Sequence, residues 1–259
     1  MKFTVIIPAR YASTRLPGKL LKDLAGKPVL QHVWERASAS GASRVLVATD
    51  DERIKTACEK FGARAELTSQ SHRSGTERSA ELAARLELDP RGVVVNLQGD
   101  EPLIPPTLIA QVAENLEAEG GADMATLCQR ISDAESVLEP SVVKVVFDSN
   151  GYANYFSRAP IPWDRDGFAA GEKRVDLSRP YYRHIGIYAY RAAYLGVYVS
   201  LPESPAEQSE CLEQLRVLHH GGRIHVAEAR EQPGPGIDTE ADLVKVRELM
   251  RRESETGVR

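Results

Sequence analysis

The 259-residue sequence lacks several features that mark common protein classes. It contains neither G-x-x-x-x-G-K-[ST] nor a G-x-G-x-x-G after its first apolar run. These absences argue against a P-loop nucleotide triphosphatase and against a dinucleotide-binding oxidoreductase. Its three cysteines, Cys58, Cys128 and Cys211, are widely spaced and include no C-x-x-C pair. We therefore expect free thiols in a reducing compartment and no zinc site.

Long apolar runs and an excess of basic residues are also absent. No run approaches membrane-spanning length and the chain does not begin as a charged, then apolar leader, so we expect a cytoplasmic protein without membrane contact. A net charge of -4 argues against a nucleic-acid partner, which would require a basic face. The hydrophobic content of 42% is enough for the core of one large domain.

A basic loop follows the first apolar run, residues 3–7. It carries Arg10, Arg15 and Lys19, with Ser13 between them, and no acidic residue precedes them. Guanidinium groups bind phosphate oxygens in a bidentate fork, and an ammonium adds a compact charge. The alternative is a solvated basic loop after a buried strand. The gathering of three cations and a hydroxyl favours a polyphosphate site.

Apolar runs alternate with helical patterns through the first half of the chain. This βαβ order predicts an α/β fold with a Rossmann-like, mostly parallel sheet and helices on both faces. From residue 123 the pattern becomes hairpin-like and antiparallel. We expect a helix over 205–218 and another over 240–250. The predicted division is a single domain: a nucleotide-binding core of 1–122 and 205–250, an antiparallel excursion of 123–204, and a frayed tail of 251–259.

Two acidic residues stand near predicted element boundaries. Asp100 lies just beyond the most apolar strand, and ligands of open α/β sheets bind beyond the carboxyl ends of strands. Mg²⁺ takes one or two carboxylates together with substrate phosphate oxygens. The alternative for Asp100, a cap of the helix near Pro105, is less favoured because the helix starts too far along the chain. Thr239 or Asp238 begins the last helix, and Asp238 by itself is interpreted as its N-cap.

A polar loop over residues 70–78 precedes another predicted helix. Ser74 and Glu77 have the spacing of a capping box, which is a sufficient explanation for both. Capping does not explain His72 and Arg73 beside a glycine. A ligand contact by those two residues stays open.

Taken together, these motifs resemble those of the 3-deoxy-manno-octulosonate (Kdo) cytidylyltransferases, the CMP-Kdo synthetases of bacteria. The resemblance runs in order over almost the whole chain, which makes it specific. The matching segments are 6–19, 47–50, 74–78, 96–102, 143–146, 155–158, 161–166, 184–188, 212–216 and 237–239.

The resemblance implies transfer of CMP from CTP to the anomeric hydroxyl of Kdo, with release of pyrophosphate, in lipopolysaccharide biosynthesis. It also implies Mg²⁺ as cofactor and a homodimer supported by the antiparallel excursion. The implied CTP-binding residues are Arg10, Ser13, Arg15, Lys19, Ser74, Gly75 and Gln98. The implied Kdo-binding residues are Arg158, His184, Tyr188, Glu213 and Gln214. Asp100 and Asp238 are the implied metal ligands, and they are catalytic together with Lys19 and Arg15.

The sequence departs from the family pattern in three places. Leu20 stands where many members carry proline, Arg73 where a neutral polar residue is frequent, and the loop 167–179 varies in length. That loop bears on the acceptor, so the 8-amino analogue of Kdo is an alternative substrate that no residue decides. A catalytically silent nucleotide-binding protein is disfavoured, because the cations and carboxylates named above are all present.

Overall fold

The computed structural model describes residues 1–13, 15–168 and 175–256. The elements are β1 (Phe3–Ala9), a 3-10 helix (Lys19–Leu21), β2 (Asp23–Leu24), β3 (Lys27–Pro28), α1 (Val29–Ala39), β4 (Arg44–Thr49), α2 (Glu52–Lys60), β5 (Arg64–Leu67), α3 (Gly75–Arg85), β6 (Val93–Asn96), α4 (Pro106–Ala118), β7 (Met124–Arg130), α5 (Ala134–Leu138), β8 (Lys144–Phe147), β9 (Ala153–Ser157), β10 (Tyr182–Arg191), α6 (Ala192–Ser200), α7 (Pro205–Glu210), α8 (Gln214–His219), β11 (Ile224–Glu228) and α9 (Glu240–Thr256).

Nine of the described strands form one sheet, whose main order is β11-β7-β10-β6-β1-β4-β5. Strands β6, β1, β4 and β5 run parallel, and so do β11 and β7, whereas β10 is antiparallel to both of its neighbours. The predicted α/β fold with an antiparallel part is confirmed. Strands β7 and β10 of the expected excursion lie inside the central sheet, and the hairpin β8–β9 branches from β10.

Helices cover both faces of this sheet, and β1 shows the consequence for the sequence. Val5 and Ile7 pack into one core with Leu30 of α1, whereas Ile6 packs into a second core with Leu82 of α3. All seven residues of β1 are buried. A strand that is buried on both faces is apolar without alternation, which explains the continuous run at residues 3–7.

Two helix predictions need correction. The helix expected over 205–218 is two helices, α7 and α8, because Cys211 adopts a left-handed conformation (φ 51°) that ends the first. The last helix continues to Thr256, into the segment expected to fray. Residues 257–259 of that segment, and 169–174 of the variable loop, lie outside the described residues. Among the described helices, none has the length and apolar character that a membrane crossing requires.

Candidate active site

A cleft of about 470 Å³ opens at the carboxyl ends of β1 and β6. Its other wall is formed by β10 and by the turn between α7 and α8. The lining residues are Pro8, Arg10, Ala12, Ser13, Lys19, Leu20, Gly75, Thr76, Gln98, Gly99, Asp100, Gly186, Tyr188, Tyr190, Cys211, Leu212, Glu213 and Gln214. The cleft therefore brings residues from both expected subsites, for CTP and for the sugar, to one cavity.

Lys19 lies between two carboxylates at the floor of the cleft. Its ammonium donates to Asp100 Oδ2, to Asp238 Oδ1 (3.1 Å) and to the carbonyl oxygen of Ile237 (3.2 Å). Burial alone would lower the pKa of Lys19, but Asp100 and Asp238 outweigh it and raise that pKa above its ordinary value. Lys19 is thus charged at neutral pH and has three protein acceptors for its three donors.

Asp238 is available to the cleft because another residue caps α9. The backbone N–H of Asp242 donates to Thr239 Oγ1 (3.2 Å), and that of Thr239 donates to Asp242 Oδ2 (2.8 Å). The interpretation of Asp238 as the N-cap is therefore wrong. Its Oδ1 instead accepts from Lys19 and lies 3.0 Å from Arg15 Nη2. This places Arg15 at the rim, where its side chain is 66% exposed.

Negative charge is concentrated beside Lys19. Burial, together with repulsion by Asp100 and Asp238, raises the pKa of Glu101 to about 8. Among the described residues, no three His, Cys, Asp or Glu side chains are grouped to hold a metal ion. The convergent set is the pair Asp100 and Asp238, and one or two carboxylates suffice for a Mg²⁺ that also binds substrate phosphates.

Arg10 and Ser13 line the cleft from the first loop. The Arg10 guanidinium donates through Nη2 to the carbonyl oxygen of Arg73, which ties this loop to the polar loop before α3. His72 and Arg73 themselves have protein partners: His72 Nε2 lies 2.6 Å from Glu81 Oε2, and Arg73 pairs with an acid of the loop before α7. Both residues thus have protein partners, and neither lines the cleft.

Gly18 and Tyr11 fix the shape of the first loop. Gly18 is left-handed (φ 66°), and its N–H donates to the Tyr11 carbonyl oxygen (3.1 Å). A Cβ at Gly18 would lie 3.2 Å from the Tyr11 ring. The Arg53 guanidinium covers that ring at 3.3 Å from its centroid. Glycine fits here because this backbone conformation and this close approach both exclude a side chain.

The start of α3 faces the cleft. Ser74 Oγ accepts from the N–H of Glu77 (3.1 Å), so the predicted cap is confirmed. The capping box is not closed, because Glu77 Oε2 accepts from the N–H of Arg73 instead. A Cβ on Gly75 would lie 2.9 Å from Pro8 Cγ, so this position, which is also close to Gln98, has no room for a side chain. The positive end of the α3 dipole lies at the cleft, because Gly75 and Thr76 both line it.

Of the residues expected at the sugar, Tyr188, Glu213 and Gln214 line the opposite wall, whereas His184 does not line the cleft and contacts Thr126 and Phe156. Tyr188 stacks on His184 with ring centroids 5.3 Å apart, and the pairing register of β10 shifts between Ile185 and Tyr188. Such bulges re-aim side chains next to binding sites. Burial lowers the pKa of His184 to about 3 and raises that of Tyr188 well above its ordinary value, so both are neutral.

Glu213 and Gln214 reach the cleft from the turn before α8. Glu213 Oε2 accepts from Thr76 Oγ1 (3.2 Å) and from the Tyr198 hydroxyl (3.3 Å). Desolvation by the surrounding wall raises the pKa of its carboxyl, although both hydrogen bonds act in the opposite direction. Gln214 Nε2 is buried without a hydrogen-bond partner. A buried unpaired amide is costly, so a bound polar molecule would stabilise this wall.

Arg158 lies outside this lining. Its Nε donates to the Glu210 carbonyl oxygen (2.7 Å) and its Nη1 to the Pro140 carbonyl oxygen (3.2 Å). Sequence reasoning did not select Thr76, Tyr190 or Cys211 for the cleft. A signal existed for Thr76, which directly follows Gly75, but none existed for Cys211, whose position depends on the break between α7 and α8.

Comparison with known proteins identifies the family of this chain. The family model of the cytidylyltransferases matches residues 4–224. The chain belongs to the cytidylyltransferase family. This cytidylyltransferase is thus a nucleotidyltransferase enzyme, and the resemblance noted in the sequence is confirmed.

Several relatives cover the whole cytidylyltransferase chain. The 3-deoxy-manno-octulosonate cytidylyltransferase of Marinobacter nauticus is 58% identical, over 99% of this chain and 100% of the relative. That of Idiomarina loihiensis is 59% identical, over 96% and 98%. A solved CMP:2-keto-3-deoxy-manno-octonic acid synthetase complexed with CTP has a TM-score of 0.88 at 46% identity, covering 98% of this chain and all of that one. A Leptospira borgpetersenii cytidylyltransferase, 16% identical with a TM-score of 0.57, shares the fold.

Proposed function

We propose that this cytidylyltransferase transfers CMP from CTP to the anomeric hydroxyl of Kdo and releases pyrophosphate. The observation that carries the proposal is the cleft in which Lys19 and Asp100 face Glu213 and Gln214. One wall offers cations and a helix N-terminus to a triphosphate, and the other offers the polar side chains of Tyr188, Glu213 and Gln214 to a sugar. The relatives that match over the full length bear the name of this activity.

Positioning and charge stabilisation supply most of the catalysis in phosphoryl-type transfer. Lys19, Arg15 and Arg10 would neutralise the α-phosphate and the leaving pyrophosphate. The Gly75 end of α3 adds backbone N–H groups without a side chain in the way. Glu213 and Gln214 would hold the sugar hydroxyls, so that the anomeric oxygen approaches the α-phosphorus from the side opposite the pyrophosphate.

Mg²⁺ is the cofactor that the carboxylates fit. Asp100 and Asp238 both reach the single atom Lys19 Nζ, so their oxygens converge on one small region. When bound to these two carboxylates, Mg²⁺ would neutralise phosphate charge and lower the pKa of a coordinated hydroxyl. Asp100→Ala is expected to abolish turnover while the protein stays folded. Near-normal activity of that variant at saturating Mg²⁺ would remove Asp100 from the metal site.

We further propose that the enzyme is a cytoplasmic homodimer that acts in lipopolysaccharide biosynthesis. Trp163 (64% exposed) and Tyr155 (37% exposed) lie on the 123–204 segment, and a second copy packed against them would remove apolar surface from water. Sedimentation of the wild type and of Trp163→Ser tests this: a dimer that the substitution weakens is expected, and a wild-type monomer would contradict it.

The deciding experiment measures pyrophosphate release from CTP and Mg²⁺ with Kdo, with its 8-amino analogue, and without sugar. Release that depends on Kdo is the expected result. Release with the amino sugar alone would keep the chemistry and change the acceptor. No release with either sugar would overturn the proposal.

A further inference from the structure

Glu213 and Gln214 owe their positions to the turn between α7 and α8, and this turn is fastened on two sides. On one side Arg216 donates to Glu207 through Nε (2.9 Å) and Nη2 (2.6 Å). Both side chains of this pair are buried, which fixes α8 against α7. This bidentate pair holds the two helices together, but it does not fix their place relative to the sheet.

Glu210 makes the second attachment, to the end of β9. Its Oε1 accepts from the Ser157 hydroxyl (2.6 Å), and its Oε2 accepts from the Arg158 N–H (2.9 Å). The Glu210 carbonyl oxygen accepts from Arg158 Nε (2.7 Å). Three hydrogen bonds thus join the last residue of α7 to the last residue of β9 and to the residue that follows it, and charged partners make such bonds strong.

The end of β9 is itself a fixed point. The buried ammonium of Lys144 donates to the carbonyl oxygens of Arg158 (2.6 Å), Val142 (2.6 Å) and Glu139 (2.9 Å). A side chain that is completely buried and bonded in three directions does not move without a large cost. Glu210 is therefore attached to a rigid part of the hairpin β8–β9.

Directly after Glu210, the left-handed Cys211 reverses the chain toward the cleft. Glu213 then meets Thr76 at the start of α3, across the cavity. A shift of the turn by a fraction of an ångström would break that contact and displace the unpaired amide of Gln214. The catalytic consequence of such a shift would fall on the sugar wall and leave the phosphate wall, built from the first loop and α3, in place.

We infer that Glu210 is a positioning residue for the acceptor: it fastens the α7–α8 turn to β9 and so sets where Glu213 and Gln214 meet the sugar. The inference rests on the proposed function for the identity of the acceptor. It gives Arg158 a structural task as well, since Arg158 supplies two of the three hydrogen bonds.

The test compares Glu210→Ala with Glu210→Gln. Alanine removes both carboxylate contacts, and we expect the KM for the sugar to rise about tenfold, which corresponds to about 1.4 kcal/mol. The KM for CTP is expected to change less than about twofold, because the hydrogen bonds of Glu210 go to Ser157 and Arg158 and not to the wall proposed for CTP. Glutamine restores wild-type values, because its oxygen still accepts from Arg158 and its amide donates to the Ser157 oxygen, whose hydroxyl can turn. Gln208→Ala, at an exposed position of α7, is the matched control.

A double-mutant cycle and a chemical probe make the result independent of folding and of the acceptor. Ser157→Ala and Glu210→Ala should be non-additive, because they remove the same hydrogen bond. Cys211 follows Glu210 and is exposed, so its rate of reaction with iodoacetamide reports the looseness of the turn without any turnover. We expect Glu210→Ala to accelerate labelling and Glu210→Gln not to.

Wild-type labelling and an unchanged sugar KM in Glu210→Ala would overturn the inference, as would an equal rise of the KM for both substrates. If the wild-type enzyme releases no pyrophosphate with any sugar, the proposed function fails. The labelling rates then still decide whether Glu210 fixes the turn.

Discussion

Lys19 Nζ lies 3.1 Å from Asp238 Oδ1, although the two residues are 219 positions apart in the chain. The Ile237 N–H donates to the Asp100 carbonyl oxygen (2.9 Å), so the loop before α9 is also tied to the loop after β6. The phosphate side of the cleft is thus assembled from the beginning, the middle and the end of the sequence. A change at any one of the three segments is expected to disturb the other two.

Lys19→Ala is expected to lower kcat at least about 100-fold, the usual cost of removing one group that stabilises transition-state charge. The KM for the sugar should stay close to the wild-type value, because Lys19 lies on the phosphate wall. Steady-state pyrophosphate release at varied CTP and sugar measures both. Lys22→Ala is the matched control, since Lys22 pairs with Glu240 away from the cleft. An effect on sugar affinity alone would contradict the assignment of Lys19 to the phosphates.

Gly18→Ala should weaken CTP binding, and Gly41→Ala should not. Both glycines are left-handed, so both substitutions are expected to cost about 1–2 kcal/mol of unfolding free energy. Only at Gly18 does the new methyl group meet a ring, that of Tyr11, whereas nothing lies within 4 Å of a Cβ at Gly41. Denaturant unfolding and the KM for CTP together separate the two effects. Equal KM values in the two variants would show that the Tyr11 contact does not shape the loop.

Cys211 should be the thiol that reacts fastest with iodoacetamide at neutral pH. It is exposed and lines the cleft, whereas burial raises the pKa of Cys58 and of Cys128 to about 12 and keeps both as thiols. We expect one adduct by mass spectrometry, loss of activity in step with it, and slower reaction when CTP and sugar are present. After the same treatment, Cys211→Ser should be as active as the untreated Cys211→Ser variant. Inactivation of that variant at the wild-type rate would place the sensitive thiol elsewhere.

His184 should make the protein sensitive to acid. Burial lowers its pKa to about 3 from an ordinary value of 6.5, so the unfolded chain binds a proton at pH values where the folded chain does not. The contribution of neutral His184 to the free energy of unfolding is fully present above pH 6.5 and is lost as the pH falls toward 3. In His184→Gln the slope of unfolding free energy against pH between about 6 and 4 should be smaller, by at most about 1.4 kcal/mol per pH unit.

Urea unfolding at several pH values measures this slope. His219→Gln, at an exposed position on α8, is the matched control. A slope in His184→Gln equal to that of the wild type would mean that His184 is protonated in the folded protein.

Local patterns predicted the parts of the structure that local physics determines. The apolar run of β1, the Ser74 cap and the placement of Asp100 after β6 all follow from neighbouring residues, and all three are found. The 205–218 segment was predicted as one helix because Cys211 carries no signal for a left-handed conformation, which glycine would have given. The left-handed conformation of Cys211 has a tertiary cause, because Glu210 is held by β9 and Glu213 by α3.

The pairing of distant strands could not be predicted in the same way. The sequence of β10 indicates a strand, but nothing in it indicates that the strand lies between β6 and β7. The role of Asp238 is a similar case. Two residues before α9, Asp238 and Thr239, have side chains that can cap a helix, and only the hydrogen bonds of Thr239 show that Thr239 is the cap. Resemblance to a family predicted that Asp238 belongs to the cleft, which the local pattern did not.

The place of β10 in the sheet has a consequence for the order of folding. Strands β6, β1, β4 and β5 all lie within the first 96 residues and can pair as soon as they are synthesised. The other edge of β6 pairs with Tyr188 and its neighbours, about ninety residues later in the chain. Until then β6 is an uncovered apolar edge, the kind of surface on which nascent chains aggregate. We therefore expect a nascent chain that has not yet reached β10 to aggregate more readily than the finished molecule, which buries this strand at the centre of its sheet.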